Sequence, residues 1–442
     1  MRLTTCIGFL TGLLAWAAFT QADPTPLRLT VDAGKVPRSN APIAATIKSP
    51  PLVEVLREFK LAGSGTLIPA DANGAAKDEK PAAGAGASGA IPVQIERVGD
   101  DTVIMRWIEP DLQPGQPKTY KLDLDVKQQR KPVFAFAEGD GFRDLKFGDR
   151  GVYRHMTRYD PADHAATFKP FHHIFGMHGE GFITNGPGSE EWGKSGEGIR
   201  FPHHRGLFFG YNKTPYGDFW HGKDGVSQRH REYIKGREFS GPVAAREVSV
   251  NEWTTAHDKP IIRDMRELTT WRVDDEHIVL DFEVTLETLT GETVQLRGDA
   301  QHSGFHFRAA NSVGQDDAAT QPTTRGSSGG NVAYIRPERA VAKGNDVWAD
   351  CPWVYAGFSI KGHPYGVSEM NAPTNPEPTV FSTRPYGRFG AFVNDQEVSP
   401  GKPLKLKYRF IVRSPSEPPD AKQLESEYQA WITPVTVTAE NK

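Results

Sequence analysis

The chain has 442 residues and a formal charge of −3, with 52 Lys and Arg against 55 Asp and Glu. So even a balance provides no global field for nucleic acid, which is not expected as a partner, and none for anionic lipid. The length points to two or three domains, and 44 Gly and 34 Pro with few long helical patterns point to an all-β protein built on turns.

The chain opens with Arg2, an apolar run over 6–19, and then Thr20-Gln21-Ala22. This pattern predicts a secretory signal peptide over 1–22, cleaved near Ala22, and a periplasmic or extracellular protein. No later stretch approaches the roughly 20 apolar residues needed to span a bilayer, so no membrane association is expected after cleavage. Once Cys6 leaves with the leader, Cys351 is the only thiol and no intramolecular disulfide can form.

Residues 23–130 read as an N-terminal sandwich, immunoglobulin-like in architecture, with short strands near 27–31, 53–61, 93–98, 102–108 and 120–126. Its 70–90 run of Ala, Gly, Lys and Asp has nothing to bury and predicts a flexible loop. Gly84 to Gly89 formally matches a dinucleotide fingerprint, but no strand precedes it and no helix follows. Residues 131–415 form the larger second domain. There Ile278, Leu280, Phe282, Val284 and Leu286 alternate with mostly polar residues, and Leu404, Leu406, Tyr408, Phe410 and Val412 repeat the pattern, as in antiparallel sheets with one buried face. Gly326-Ser327-Ser328-Gly329-Gly330 resembles a nucleophile elbow without its strand and helix. The 416–442 tail places Leu424, Tyr428 and Trp431 at helical spacing, predicting a short C-terminal helix.

Histidine is concentrated in one part of the second domain: nine of fourteen lie from His155 to His230, a Gly-, Pro- and aromatic-rich stretch read as long loops over a sheet. Such clustering marks proton transfer or metal binding. Within and beyond it stand Pro202-His203-His204-Arg205-Gly206-Leu207, Gly217-Asp218-Phe219-Trp220, Pro373-Thr374-Asn375-Pro376, Thr383-Arg384-Pro385-Tyr386-Gly387 and a closing strand over 401–412. In this order the motifs resemble those of secreted bacterial proteins labelled "PmoA family" or methane oxygenase. The resemblance covers most of the chain, and it implies a large antiparallel β-supersandwich of the aldose-mutarotase kind with a place in sugar degradation. The label itself implies a metal-dependent oxidoreductase.

Pro202 and Gly206 put His203 and His204 on a loop, where both can line one cleft as an acid/base pair, a sugar-binding pair, metal ligands or a structural turn. Arg205 suits a carboxylate, of substrate or protein, through its planar fork. On a strand, His302, His306 and Arg308 share one face while Phe305 and Phe307 point to the core. Asp218 with Trp220 has the composition of a sugar pocket, an apolar wall with few polar anchors. Arg384, Glu369 and Asn371 are candidates for its far wall. The residues therefore point to His203, His204 and His306 as catalytic groups, with Arg205, Asp218, Trp220, His302, Arg308 and Arg384 binding an oligosaccharide or glycoside. No cofactor is required. A divalent metal, if bound, would draw on His172, His173, His178, His203 and His204, with Glu180 as a carboxylate partner. The expected function is cleavage or isomerisation of a glycoside by histidine acid/base chemistry, with a non-catalytic glycan-binding protein and the oxidoreductase as alternatives.

Overall fold

The computed structural model describes residues 27–58, 63–70, 89–124, 133–193, 196, 198–272, 274–314, 332–393, 395–415 and 417–441. The expected signal peptide, most of the 70–90 loop and the Gly326 to Gly330 elbow lie outside them. The described residues are predominantly β, as composition and alternation predict.

Near the N-terminus, Leu27–Asp32, Arg38–Lys48, Ser64–Ala70, Ile91–Arg97, Thr102–Leu112 and Lys118–Asp123 pair along one continuous antiparallel path around a core that includes Trp107 and Met105. The pairing follows a single seven-stranded sheet and not the two sheets of an immunoglobulin sandwich. Its last strand is Thr436–Asn441, which pairs with Leu27–Asp32, so the C-terminal tail returns to the N-terminal sheet. The strand expected near 53–61 is instead the helix Pro50–Glu58. Pro at the first turn has the fixed φ a helix start needs, and Leu52, Val53 and Leu56 bury one helical stripe.

The second domain stacks two large antiparallel sheets. A ten-stranded sheet centres on Arg388–Val393, Ser303–Arg308, Gly206–Tyr211, Phe171–Ile174 and Arg150–Met156. A nine-stranded sheet centres on Ala244–Thr254, Pro260–Arg272, His277–Thr288, Leu404–Arg413 and His363–Asn371. The supersandwich architecture is present, and the predicted alternation builds its core: Leu280, Phe282, Val284, Leu406, Tyr408 and Phe410 from one sheet meet Leu207, Phe209, Phe305, Phe307 and Phe389 from the other. On the far side of the nine-stranded sheet, the predicted C-terminal helix Ala421–Ile432 buries Leu424 and Tyr428, with Asp420 accepting at 2.7 Å from the Gln423 amide at its start.

The histidine-rich stretch is less irregular than its composition predicts. It contributes the strands Arg150–Met156, Phe171–Ile174, Gly206–Tyr211 and Ser227–Tyr233. Phe171–Ile174 and Gly206–Tyr211 are buried on both faces, so period-two polarity never develops in them.

Candidate functional site

The outward face of the ten-stranded sheet carries the site. Alternation fixes which residues reach it: with Phe305, Phe307 and Phe389 in the core, His306, Arg308 and Arg388 point the other way. Two glycines make room. A Cβ on Gly390 would sit 2.4 Å from His306 Cγ, and one on Gly206, whose φ is +44°, would sit 2.1 Å from the His172 carbonyl oxygen. Gly206 thus brings the turn that carries His203 and His204 close against the neighbouring strand Phe171–Ile174, in the middle of the sheet. The His204 amide donates to the Phe201 carbonyl at 3.0 Å, and the Asn185 side-chain amide donates to the His204 carbonyl at 2.8 Å, pinning that turn.

The predicted histidines converge. The His203 and His204 ring centroids are 4.2 Å apart, His204 lies 5.8 Å from Trp220, and Trp220 lies 4.7 Å from His306 and 6.4 Å from His302. A fifth histidine, not among the sequence candidates, completes the group: His221 is 4.4 Å from His203 and 5.3 Å from His302. His221 and His302 are held by the same device. Asp218 accepts the Trp220 and His221 amides at 3.1 and 2.9 Å and the His221 Nδ1 proton at 2.7 Å. Asp299 accepts the Gln301 amide at 2.9 Å and the His302 Nδ1 proton at 3.0 Å. In both, a carboxylate at the start of a turn fixes the tautomer of the imidazole three residues on, leaving Nε2 as the available nitrogen. The sequence signal was Asp-x-x-His, present twice here. It recurs at Asp274 and His277, away from this face, so the motif alone is not specific.

The other candidates have different roles from those expected. His306 is committed at both nitrogens: Nε2 donates to the Ser303 carbonyl at 2.9 Å, and Nδ1 accepts from Arg388 at 3.1 Å. It therefore braces Arg388 and is not a free acid or base. His204 is buried with both ring nitrogens unpartnered. Trp220 is fully buried, so its indole is not an open stacking platform. Its carbonyl accepts from Lys169 Nζ at 2.7 Å, while its Nε1 proton has no partner. Arg205 donates only to backbone carbonyls, those of Pro202, Ala166 and Ala165, closing the end of the helix His164–Thr167 instead of anchoring a carboxylate. Arg384 leans on Asp346 at 3.4 Å. Glu369 and Asn371 are buried, and Glu369 accepts from the Ala391 amide in the interior, so neither lines this face.

The metal set proposed from sequence disperses. His172 turns inward to Glu247 at 3.3 Å, and His173 bonds Thr184 and Pro187 at 3.0 and 2.9 Å. His178 bonds Ser414 at 2.8 Å and stacks on His363, and Glu180 accepts from the Tyr365 hydroxyl. Successive residues of the strand Phe171–Ile174 face opposite sides, which separates His172 from His173.

The electrostatics of the face are unusual. Burial, with His221, Lys169 and His302 nearby, pushes the His203 imidazolium down to about 2, and burial holds His204 and His306 well below their usual range. These rings are neutral. Around them lie Lys169, Arg308 and Arg388, all buried, with no carboxylate within 4 Å of any of them among the described residues. Burying an ion without a counter-ion costs several kcal/mol even after relaxation, whereas the Tyr386 ring beneath Arg308, 4.8 Å away, returns about 2 kcal/mol.

The family model described as "Family of unknown function (DUF6807)" matches residues 143–429, well over half of the chain, and the chain belongs to that family. This corrects the expected methane-oxygenase resemblance: the matched family is described as of unknown function and is not a methane-oxygenase family, so the label lends the oxidoreductase reading no support. No curated protein matches the sequence. Among solved structures, an alpha-mannosidase from Enterococcus faecalis V583 aligns at TM-score 0.34 and 9% identity, covering 95% of this chain and 46% of its own. The chain thus spans about half the length of that relative. A protein assigned as an aldose 1-epimerase from Klebsiella pneumoniae subsp. pneumoniae MGH 78578 aligns at TM-score 0.27 and 10% identity, covering 91% of this chain and 97% of its own. At such scores the architecture rests on the strand pairing described above.

Proposed function

We propose that the protein is an exported carbohydrate-active enzyme in which His221 and His302, with His203 beside them, move protons at a sugar or glycoside. The observation that carries this reading is the pair of Asp-held imidazoles, Asp218 with His221 and Asp299 with His302, whose rings face one another at 5.3 Å beside neutral His203. A neutral imidazole with a free Nε2 takes a proton, and the carboxylate behind it stabilises the imidazolium that forms. Two such groups in one cleft suit reactions that remove a proton at one position and deliver one at another, as in epimerisation or elimination. Hydrolysis by a pair of carboxylates is a poorer match, because both carboxylates beside the cleft already hold histidines. His204, Trp220 and His306 form the wall behind these groups, and the half-buried His302 and His221 stand at its mouth. The chemistry calls on no cofactor. The leader-like N-terminus supports the proposed export.

The test is turnover of plant, algal and microbial glycan pools, with product release followed by chromatography and solvent deuterium uptake into recovered sugar followed by mass spectrometry. His221→Ala and His302→Ala should each lower turnover about 10²–10⁴-fold, with retention of the same glycan on the protein much less affected. If the parent binds a glycan but neither cleaves it nor exchanges its protons, the protein is a binding module. If it neither binds nor turns over any pool, the carbohydrate reading fails.

A further inference from the structure

Arg308 and Arg388 are directly opposed residues on adjacent strands, on the same face, and both are essentially inaccessible to solvent. Like charges opposed across a strand pair destabilise a sheet, and here no described carboxylate intervenes. Every acceptor they use is neutral. Arg388 donates to Ser382 Oγ at 2.7 Å, to Gln301 Oε1 and to His306 Nδ1, and Arg308 donates to the Tyr386 carbonyl. Several N–H groups of this patch have no partner at all: Arg308 Nε and Nη2, Arg388 Nε and Trp220 Nε1. Lys169, also buried and with no ion pair within 4 Å among the described residues, donates to the Trp220 carbonyl. Buried donors of this kind are satisfied in nearly all folded proteins; Arg308 presents an open fork, Nε with Nη2, suited to the paired oxygens of an oxyanion, and Arg388 adds its Nε.

We propose that the ligand of this face is an acidic sugar, whose carboxylate or sulfate-ester oxygens sit between Arg308 and Arg388 and accept from Trp220 Nε1. The proposal rests on the carbohydrate reading above and names its substrate class. The anion supplies the counter-charge that the fold omits, and the acidic group fixes the sugar with its ring toward His203, His221 and His302. His306, which accepts from Arg388, is a positioning residue for that fork.

Calorimetric titration of the full chain with matched glycosides, neutral, uronate and sulfate-ester, together with inorganic sulfate, tests this. The acidic glycoside should bind at least about tenfold more tightly than its neutral counterpart, and Arg388→Gln should bring that ratio close to one. Because Arg388→Gln alters a buried position, Trp220→Phe provides a second arm: it keeps a ring and removes only the N–H, and it should lower the ratio severalfold in protein whose unfolding is near that of the parent. Preference for the uronate alone identifies a carboxylate, and preference for the ester alone identifies a sulfate. Equal binding of neutral and acidic glycosides overturns the proposal while the sugar reading stands. Binding of inorganic sulfate without any glycoside, lost in Arg388→Gln, keeps the anion seat and overturns the sugar. No binding of any acidic probe, or a preference unchanged in both variants, overturns the proposal.

Discussion

The molecule holds two histidine clusters on opposite faces of one sheet, and they balance charge in opposite ways. Between the sheets, His155 and His172 are register partners whose rings stack at 4.0 Å, and both reach Glu247 of the facing sheet, at 2.8 and 3.3 Å. The cations nearby also meet carboxylates: Arg143 is 2.5 Å from Glu238 and 4.0 Å from Glu247, and Arg266 is 2.6 Å from Asp264. On the outer face, Arg308, Arg388 and Lys169 meet only neutral acceptors. At the inner cluster His155 Nε2, His172 Nδ1 and Glu247 Oε2 lack hydrogen-bond partners, and Arg143 Nε, also without one, still lies 2.9 Å from the Glu138 carboxylate, whereas at the outer cluster Arg308 Nε and Nη2 and Arg388 Nε are left with no ion pair among the described residues. An unpaired buried donor on a cation is the costlier omission, so the inner cluster reads as a tie between the sheets and the outer one as a seat for something absent from the chain itself.

The largest effect that would break this comparison is on stability. Glu247→Leu removes the one carboxylate that His155 and His172 share and leaves Arg143 undercompensated. It should cost about 3–5 kcal/mol in denaturant unfolding. Asp218→Asn, at the half-exposed rim of the outer site, should cost about 1 kcal/mol. Equal losses would mean that the two clusters do the same structural work.

A smaller effect is a pH slope. Burial, countered only in part by its bond to the Pro187 carbonyl, pushes His173 down to about 3. In the unfolded chain the same ring titrates near 6.5, so between these values the unfolded state binds the extra proton. Stability is therefore fully present above about pH 6.5 and falls with falling pH, by up to about 1.4 kcal/mol per unit from this ring. His173→Gln should flatten the acid limb of melting temperature against pH. Burial and the neighbouring His172 push His155 down to about 3 as well, despite Glu247, so His155→Gln should flatten the same limb and, by removing the bond to Glu247, also lower stability at every pH. A His173→Gln limb as steep as the parent's would show that the ring is charged in the fold.

Much of this was legible in the sequence, where period two was clean. Ile278 to Leu286 and Leu404 to Val412 gave the sandwich core, and the alternation in Phe305, His306, Phe307 and Arg308 assigned the two faces of the site strand. Leu424 and Tyr428 gave the closing helix. The strand Phe171–Ile174 was not legible, because all four of its residues are buried and no polar phase marks its faces. For the same reason His172 and His173 looked like one metal pair when they belong to opposite sides of a sheet. Arg388 and His221 were missed because their importance lies in strand register and in contacts across long loops, which spacing along the chain does not encode. Arg205 misled because its fork matches backbone carbonyls as readily as a carboxylate.

The smallest expected effect concerns metal at the inner cluster, where His155, His172 and Glu247 bring ligand atoms within 4.8 Å of one another and all three residues are buried. Proximity here is not coordination. A zinc ion sits about 2.0–2.1 Å from an imidazole nitrogen and close to the plane of that ring. The two rings lie nearly parallel, 17° between planes and 4.0 Å between centroids, so an ion in the plane of one is far out of the plane of the other. Both rings already engage Glu247, and forming a site would mean unstacking them inside a packed core. Zinc or nickel added to desalted protein should therefore leave the melting temperature unchanged within error, in the parent and in His172→Gln alike, because an ion that binds only the folded state would raise it with concentration. A saturable rise at one equivalent, lost in His172→Gln, would show that the stack opens to take a metal, and the inner cluster would join the outer one as a ligand site.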